Sequence, residues 1–113
     1  MTARLTSAML VSALVRRVAG EGGNAVIVAK GDATAGAILL DCLERGQRTA
    51  FRERVLGSDG RYGWHAVGPS TESAADEVAA WLNRRRSRDP DLWIVELDIA
   101  NAERFAAETM GSD

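Results

Sequence analysis

Apolar residues at Leu5, Met9, Val11, Leu14, Val15 and Val18 recur at three- and four-residue spacing, the period of an α-helix with one buried stripe. The pattern predicts a helix over Thr6–Ala19, capped by Thr6 or Ser7. The glycines of "GEGG" (20–23) stop it, because glycine tolerates the left-handed backbone that ends helices. "NAVIVAK" (24–30) then reads as a short buried strand, its β-branched residues spanning too few positions for a stable helix. "GAILLDCLE" (36–44) reads as a second strand. A turn at Gly46 and Gln47 leads into "TAFRERVL", where Phe51 and Val55 share a face with Glu53. Such mixed alternation suits a sheet edge.

Asp59 and Gly60 lie between two extended runs and match a tight hairpin turn whose two central residues adopt positive φ. The strand beyond the turn sets Tyr62, Trp64 and Ala66 on one face. "PSTESAADEVAAWLNRRR" predicts a helix capped by Ser70, with Glu72 and Asp76 near its positive end and Arg84, Arg85 and Arg86 at its negative end. Its buried stripe is Ala75, Val78, Ala79 and Leu82, with Trp81 on the flank. "DPD" (89–91) ends it, since proline pushes the preceding residue out of the helical region. "LWIVELDI" alternates as a strand, with Trp93, Val95, Leu97 and Ile99 inward and Glu96 and Asp98 outward. "NAERFAAETM" closes as a short helix capped by Asn101. The order α-β-β-β-β-α-β-α predicts an α+β two-layer sandwich, a mostly antiparallel sheet of about five strands with helices on one face.

A chain of 113 residues is expected to form a single domain, residues 1–113, with one two-layer core. Apolar residues make up 46% and charged residues 27%, the balance of a soluble globular protein and not of a disordered one. The net charge of −2 provides no general field for nucleic acid or anionic lipid. One cysteine, Cys42, excludes an intrachain disulfide and a thiolate metal cage, and fits a reducing cytoplasm. "SAMLVSALV" lacks the flanks and cleavage signal of a secretory leader and falls well short of the ~20 residues that span a bilayer.

Gly31 and Gly36 in "KGDATAGAILL" have the glycine spacing of a phosphate-cradling loop. Such a loop needs lysine and a hydroxyl residue immediately afterwards, where Ala37 and Ile38 stand. The stretch therefore reads as a hairpin connection in which Asp32 and Thr34 bond nearby backbone. Arg84, Arg85, Arg86 and Arg88 could meet phosphates, but three successive helical residues fan over about 200° and no aromatic stacking run accompanies them. A solvated helix end suits them better, or a partner's acidic surface. His65 has no second histidine or cysteine close by, which argues against zinc. Glu96 and Asp98 could hold magnesium, yet solvated sheet faces carry such pairs routinely. Cys42 alternates with Ile38 and Leu40 as a buried apolar residue would.

The stretches "ALVRRVAGEGG", "KGDATAGAILL", "DGRYGW" and above all "RRRSRDPDLWIVELD" resemble a family of short bacterial proteins catalogued as a domain of unknown function. The resemblance spans nearly the whole chain, and "DPDLWIVELD" is its most specific piece. It implies a small, complete, stand-alone soluble protein, and it transfers no activity, cofactor, partner or site residue.

Each catalytic constellation lacks a required part, so the leading expectation is a non-enzymatic protein-binding or adaptor module. Its partner would be another protein or a second copy, with no cofactor, no metal and no membrane. Candidate binding residues are Arg84, Arg85, Arg86, Arg88, Trp64 and Asp32, and no residue is assigned a catalytic role. The alternatives are a small metal-dependent hydrolase or nucleotide-handling enzyme using Asp32, Glu96 or Asp98, and a nucleic-acid-binding accessory protein using the arginines.

Overall fold

The helical stripe near the N-terminus forms α1 (Ser7–Gly20), buried through Leu10, Val11, Leu14 and Val18 in a computed structural model that describes residues 5–110. Thr6 caps it, its side chain accepting from the amide of Met9 at 3.2 Å. The remaining elements are β1 (Asn24–Ala29), β2 (Ile38–Glu44), β3 (Gln47–Leu56), β4 (Tyr62–Val67), α2 (Ala75–Arg88), β5 (Trp93–Asp98) and α3 (Ala102–Met110). Their sequence is the α+β order that the apolar periods predict.

The five strands line up as β1-β5-β2-β3-β4. β5 therefore sits between β1 and β2, antiparallel to the first and parallel to the second. The connection from β1 to β2 is thus not the expected hairpin: it spans the start of β5. "TAFRERVL" is not an edge either, because β3 pairs with β2 on one side and β4 on the other. The edges are β1 and β4. A register shift between Ile27 and Ala29 interrupts the β1 pairing with β5 at Val28.

The helices do not share one face. Ile38, Leu40, Cys42, Trp93, Val95 and Leu97 pack with the inner residues of α1 and with Ala102, Phe105 and Ala106 of α3. The alternate positions Leu39 and Ile94, with Leu92, pack against Trp81 and Leu82 of α2. β2 and β5 are central strands covered on both sides, which is why "AILL" and "LWIV" are continuous apolar runs. α2 starts at Ala75, later than Ser70, whose hydroxyl instead accepts from the Glu72 amide in a local turn. Ala75 and Ala79 are exposed, and the seated residues are Val78, Trp81, Leu82 and Arg85.

The tight turn with two left-handed centres, expected at Asp59 and Gly60, is found at the earlier hairpin, where it lies at Arg45 and Gly46, one residue before the expected Gly46 and Gln47. Arg45 and Gly46 adopt φ of 53° and 79° between the paired residues Glu44 and Gln47, the two-residue turn with both centres left-handed. At the later hairpin only Gly60 is left-handed (φ 82°), while the Asp59 carboxylate accepts from the Arg61 amide.

Candidate functional site

The opening loop and the "DPD" turn form one interlocked structure. A Cβ on Gly31 would lie 2.1 Å from the Asp91 carbonyl oxygen, and one on Gly36 would lie 2.2 Å from the same atom. Both positions require glycine because the loop closes directly on the chain entering β5. The Asp32 amide donates to Asp91 O at 3.0 Å, and the Trp93 indole donates to Asp32 O at 2.8 Å. The buried Ser7 hydroxyl donates to Gly36 O at 2.7 Å. Amides of Ser7 and Ala8, the first in α1, donate to the carbonyls of Thr34 and Ala33. The α1 N-terminus is thereby occupied by the protein's own backbone and offers no cradle to a phosphate. Asp32 serves the same knot, its carboxylate accepting from the amides of Thr34 and Ala35.

The arginines divide into two internal and two external residues. Arg86 reaches over the knot and donates through Nη1 to the carbonyls of Leu92 at 2.6 Å and Pro90 at 2.9 Å, with Lys30 O at 3.3 Å. Arg85 forms a two-pronged ion pair with Glu53 on β3, at 2.8 and 3.0 Å. That pair, with the Phe51–Trp81 contact at 4.9 Å between ring centroids, seats α2 on the sheet. Arg84 and Arg88 are exposed. Trp64 lies half-buried against the core, and its indole nitrogen is buried without a hydrogen-bond partner. The candidate binding residues thus do not gather on one surface.

The carboxylates also separate. Asp32 sits beside Asp91 before β5 begins, whereas Asp98 ends β5, about 17 Å further along the strand. Asp41 and Glu96 are register partners on β2 and β5, on the face that α2 covers at its other end. Arg48 holds buried Asp41 by two hydrogen bonds of 2.7 and 2.8 Å, and this contact raises the arginine pKa against the opposing cost of burial. Asp98 accepts from the Gly46 amide at 2.9 Å. Among the described residues no group of three or more His, Cys, Asp or Glu is placed to hold a metal ion. Burial, and after it the charge of Glu103, pushes the Cys42 thiol up to about 12, which removes it as a nucleophile at neutral pH. His65 is exposed on β4, opposite Glu53.

What remains open is the β1 edge. "NAVIVA" reads as buried from its composition, yet Val26, Ile27 and Val28 are 44%, 46% and 54% exposed. Among the described residues β1 pairs only with β5, and no other strand of theirs lies beside its outer row of backbone N–H and C=O groups. β4, the other edge, carries no exposed large apolar residue among the described residues. No feature of the local pattern marks Val26–Val28 as surface, because an edge and a central strand of this composition look alike.

No helix among the described residues is long and apolar enough to cross a membrane. No curated protein matches the chain. Solved structures do. A crystal structure of a DUF1491 family protein from Caulobacter crescentus CB15 is 31% identical, with a TM-score of 0.77 over 90% of this chain and 94% of that one. An NMR structure of a DUF1491 family protein from the same organism is 30% identical, with a TM-score of 0.75 over 92% and 94%. The solution structure of protein Atu0922 from A. tumefaciens is 34% identical, with a TM-score of 0.67 over 88% and 89%. Residues 5–107, which include the knot, all five strands and most of α3, match the family described as a protein of unknown function, DUF1491, and the chain belongs to that family.

Proposed function

We propose that this protein is a non-enzymatic protein-binding module, a single domain that engages an extended segment of its partner by adding it as a sixth strand beside β1. The observation that carries the reading is the exposed, uncharged edge at Val26, Ile27 and Val28. An edge strand of this kind supplies affinity through main-chain hydrogen bonds and specificity through side chains on alternate faces. Soluble proteins usually blunt such edges with charge or proline. Here Asn24–Ala29 contains neither.

The arginine-rich end of α2 supports the nucleic-acid alternative less well, because Arg85 and Arg86 are already committed to Glu53 and to backbone carbonyls. Affinity capture from lysate with the wild type, Val26→Lys and an Arg84→Ala/Arg88→Ala double variant separates the two. Strand addition expects nuclease-resistant capture that Val26→Lys abolishes and the arginine variant retains. Nuclease-sensitive capture lost only in the arginine variant would refute it.

A further inference from the structure

The occupant that the β1 edge fits is a second copy of this chain: we propose that the protein pairs with itself through β1, antiparallel about a two-fold axis at Val26. The proposal rests on the strand-addition reading and names its partner. Two-fold pairing sets identical residues against one another, so any charge at the centre of the strand would oppose itself, which is destabilising. Asn24–Ala29 carries no charge, and Val26 is one of the two central residues of the strand, exposed and on the regular side of the shift at Val28.

The flanks add complementarity. The first charge before β1 is Glu21 and the first after it is Lys30, and both are exposed. Lys30 and Glu21 lie just outside the strand at opposite ends. Antiparallel pairing about Val26 therefore turns the Lys30 end of each copy toward the Glu21 end of the other, which places opposite charges beside both ends of the shared ladder. Ala25 lies opposite the other copy's Ile27, so the central pairs all use backbone on the regular side of the shift at Val28.

The side of α1 nearest β1 carries no charge. The contacts of Arg17 with Glu108 and Phe105 fix the side of α1 that faces α3. Helical periodicity then turns Ala8, Ser12, Val15 and Ala19 toward the β1 side. These side chains are uncharged and short. The shift at Val28 bends the end of the strand and limits the ladder, so the dimer is expected to be weak and reversible.

Sedimentation velocity of the full chain from micromolar to millimolar concentration tests the pairing. The wild type is expected to pass reversibly from monomer to dimer. Val26→Lys and Val26→Glu should each raise the dimer dissociation constant by at least about tenfold, with unchanged far-UV circular dichroism. An equimolar mixture of the two should restore the dimer, because the symmetry axis sets the introduced lysine of one variant against the introduced glutamate of the other; such rescue excludes misfolding as the cause. A wild type that stays monomeric, or a Val26→Lys variant that dimerises as the wild type does, overturns the proposal. A monomeric wild type whose capture of another protein is lost in Val26→Lys refutes self-pairing and leaves strand addition standing. Monomers with capture unaffected by Val26→Lys refute both.

Discussion

Replacing Gly36 with alanine adds one methyl group where the loop before β2 meets the chain entering β5. That Cβ would stand 2.2 Å from Asp91 O and 2.9 Å from both the amide nitrogen and carbonyl oxygen of Asp32. All three are backbone atoms, so no side chain can swing aside, and the loop and turn must part by about 1 Å to reach ordinary contact. Parting them loosens the Asp32–Asp91 hydrogen bond at 3.0 Å and the Gly36–Asp32 bond at 3.2 Å. It also draws Gly36 O from the buried Ser7 hydroxyl. Two weakened bonds at ~1 kcal/mol each, with a buried polar group left unpaired at ~1–3 kcal/mol, give a loss of about 3–5 kcal/mol. Gly20→Ala is the matched control. It ends α1 with nothing within 4 Å of the added Cβ and should be neutral or stabilising by up to ~1 kcal/mol. Urea unfolding followed by tryptophan fluorescence reads both midpoints, Trp93 being buried in the same knot. A Gly36→Ala midpoint indistinguishable from that of Gly20→Ala would refute the close-approach account. A wild-type midpoint raised by ATP or GTP, with the rise lost in Gly36→Ala, would restore a phosphate-binding role for the loop.

Arg86→Ala should cost about 1–3 kcal/mol by unpairing the part-buried Leu92 carbonyl, whereas Arg84→Ala at an exposed position should change stability by less than ~0.5 kcal/mol; parallel urea melts decide. Trp93→Phe keeps an aromatic ring but removes the indole donor to Asp32 O and leaves a small void in the core, and a loss of about 2–4 kcal/mol is expected by the same assay. Cys42 should resist alkylation in the folded protein at neutral pH and react on unfolding, as mass spectrometry would show. Its folded pKa of about 12 exceeds the unfolded 9.0, so the folded state keeps the proton longer. That stabilisation is complete below pH 9 and fades as pH rises toward 12, at ~1.4 kcal/mol per unit. Cys42→Ala should lack this slope even though the cavity lowers its stability at every pH.

Local chemistry makes the elements legible one at a time. Val11, Leu14 and Val18 state the period of α1, Thr6 its start and Gly20–Gly23 its stop, although Leu10 takes the buried place that the pattern gave to Leu5 and Met9, which are exposed. Trp93, Val95 and Leu97 state the buried face of β5. The missing lysine after Gly36 removes a nucleotide loop without any coordinates. These signals are short-range: a period, a cap or a turn depends on residues within a few positions of one another.

Which strands lie side by side is a long-range matter, and the candidate site depends on it. Only the insertion of β5 between β1 and β2 brings Asp91 against Gly31 and Gly36, so the purpose of those glycines is visible only across some 55 to 60 residues of chain. The same insertion leaves β1 at an edge and turns Val26, Ile27 and Val28 from apparent core into surface. Arg85 and Arg86 look like a solvated helix end until α2 docks, when one meets Glu53 and the other the carbonyls of the turn. By itself the sequence determined the elements, their order and the absence of several catalytic motifs, because hydrophobic period and turn chemistry act locally. The tertiary structure alone decided which apolar run faces water and which charges are already paired, because burial and pairing depend on neighbours that the chain supplies from far away.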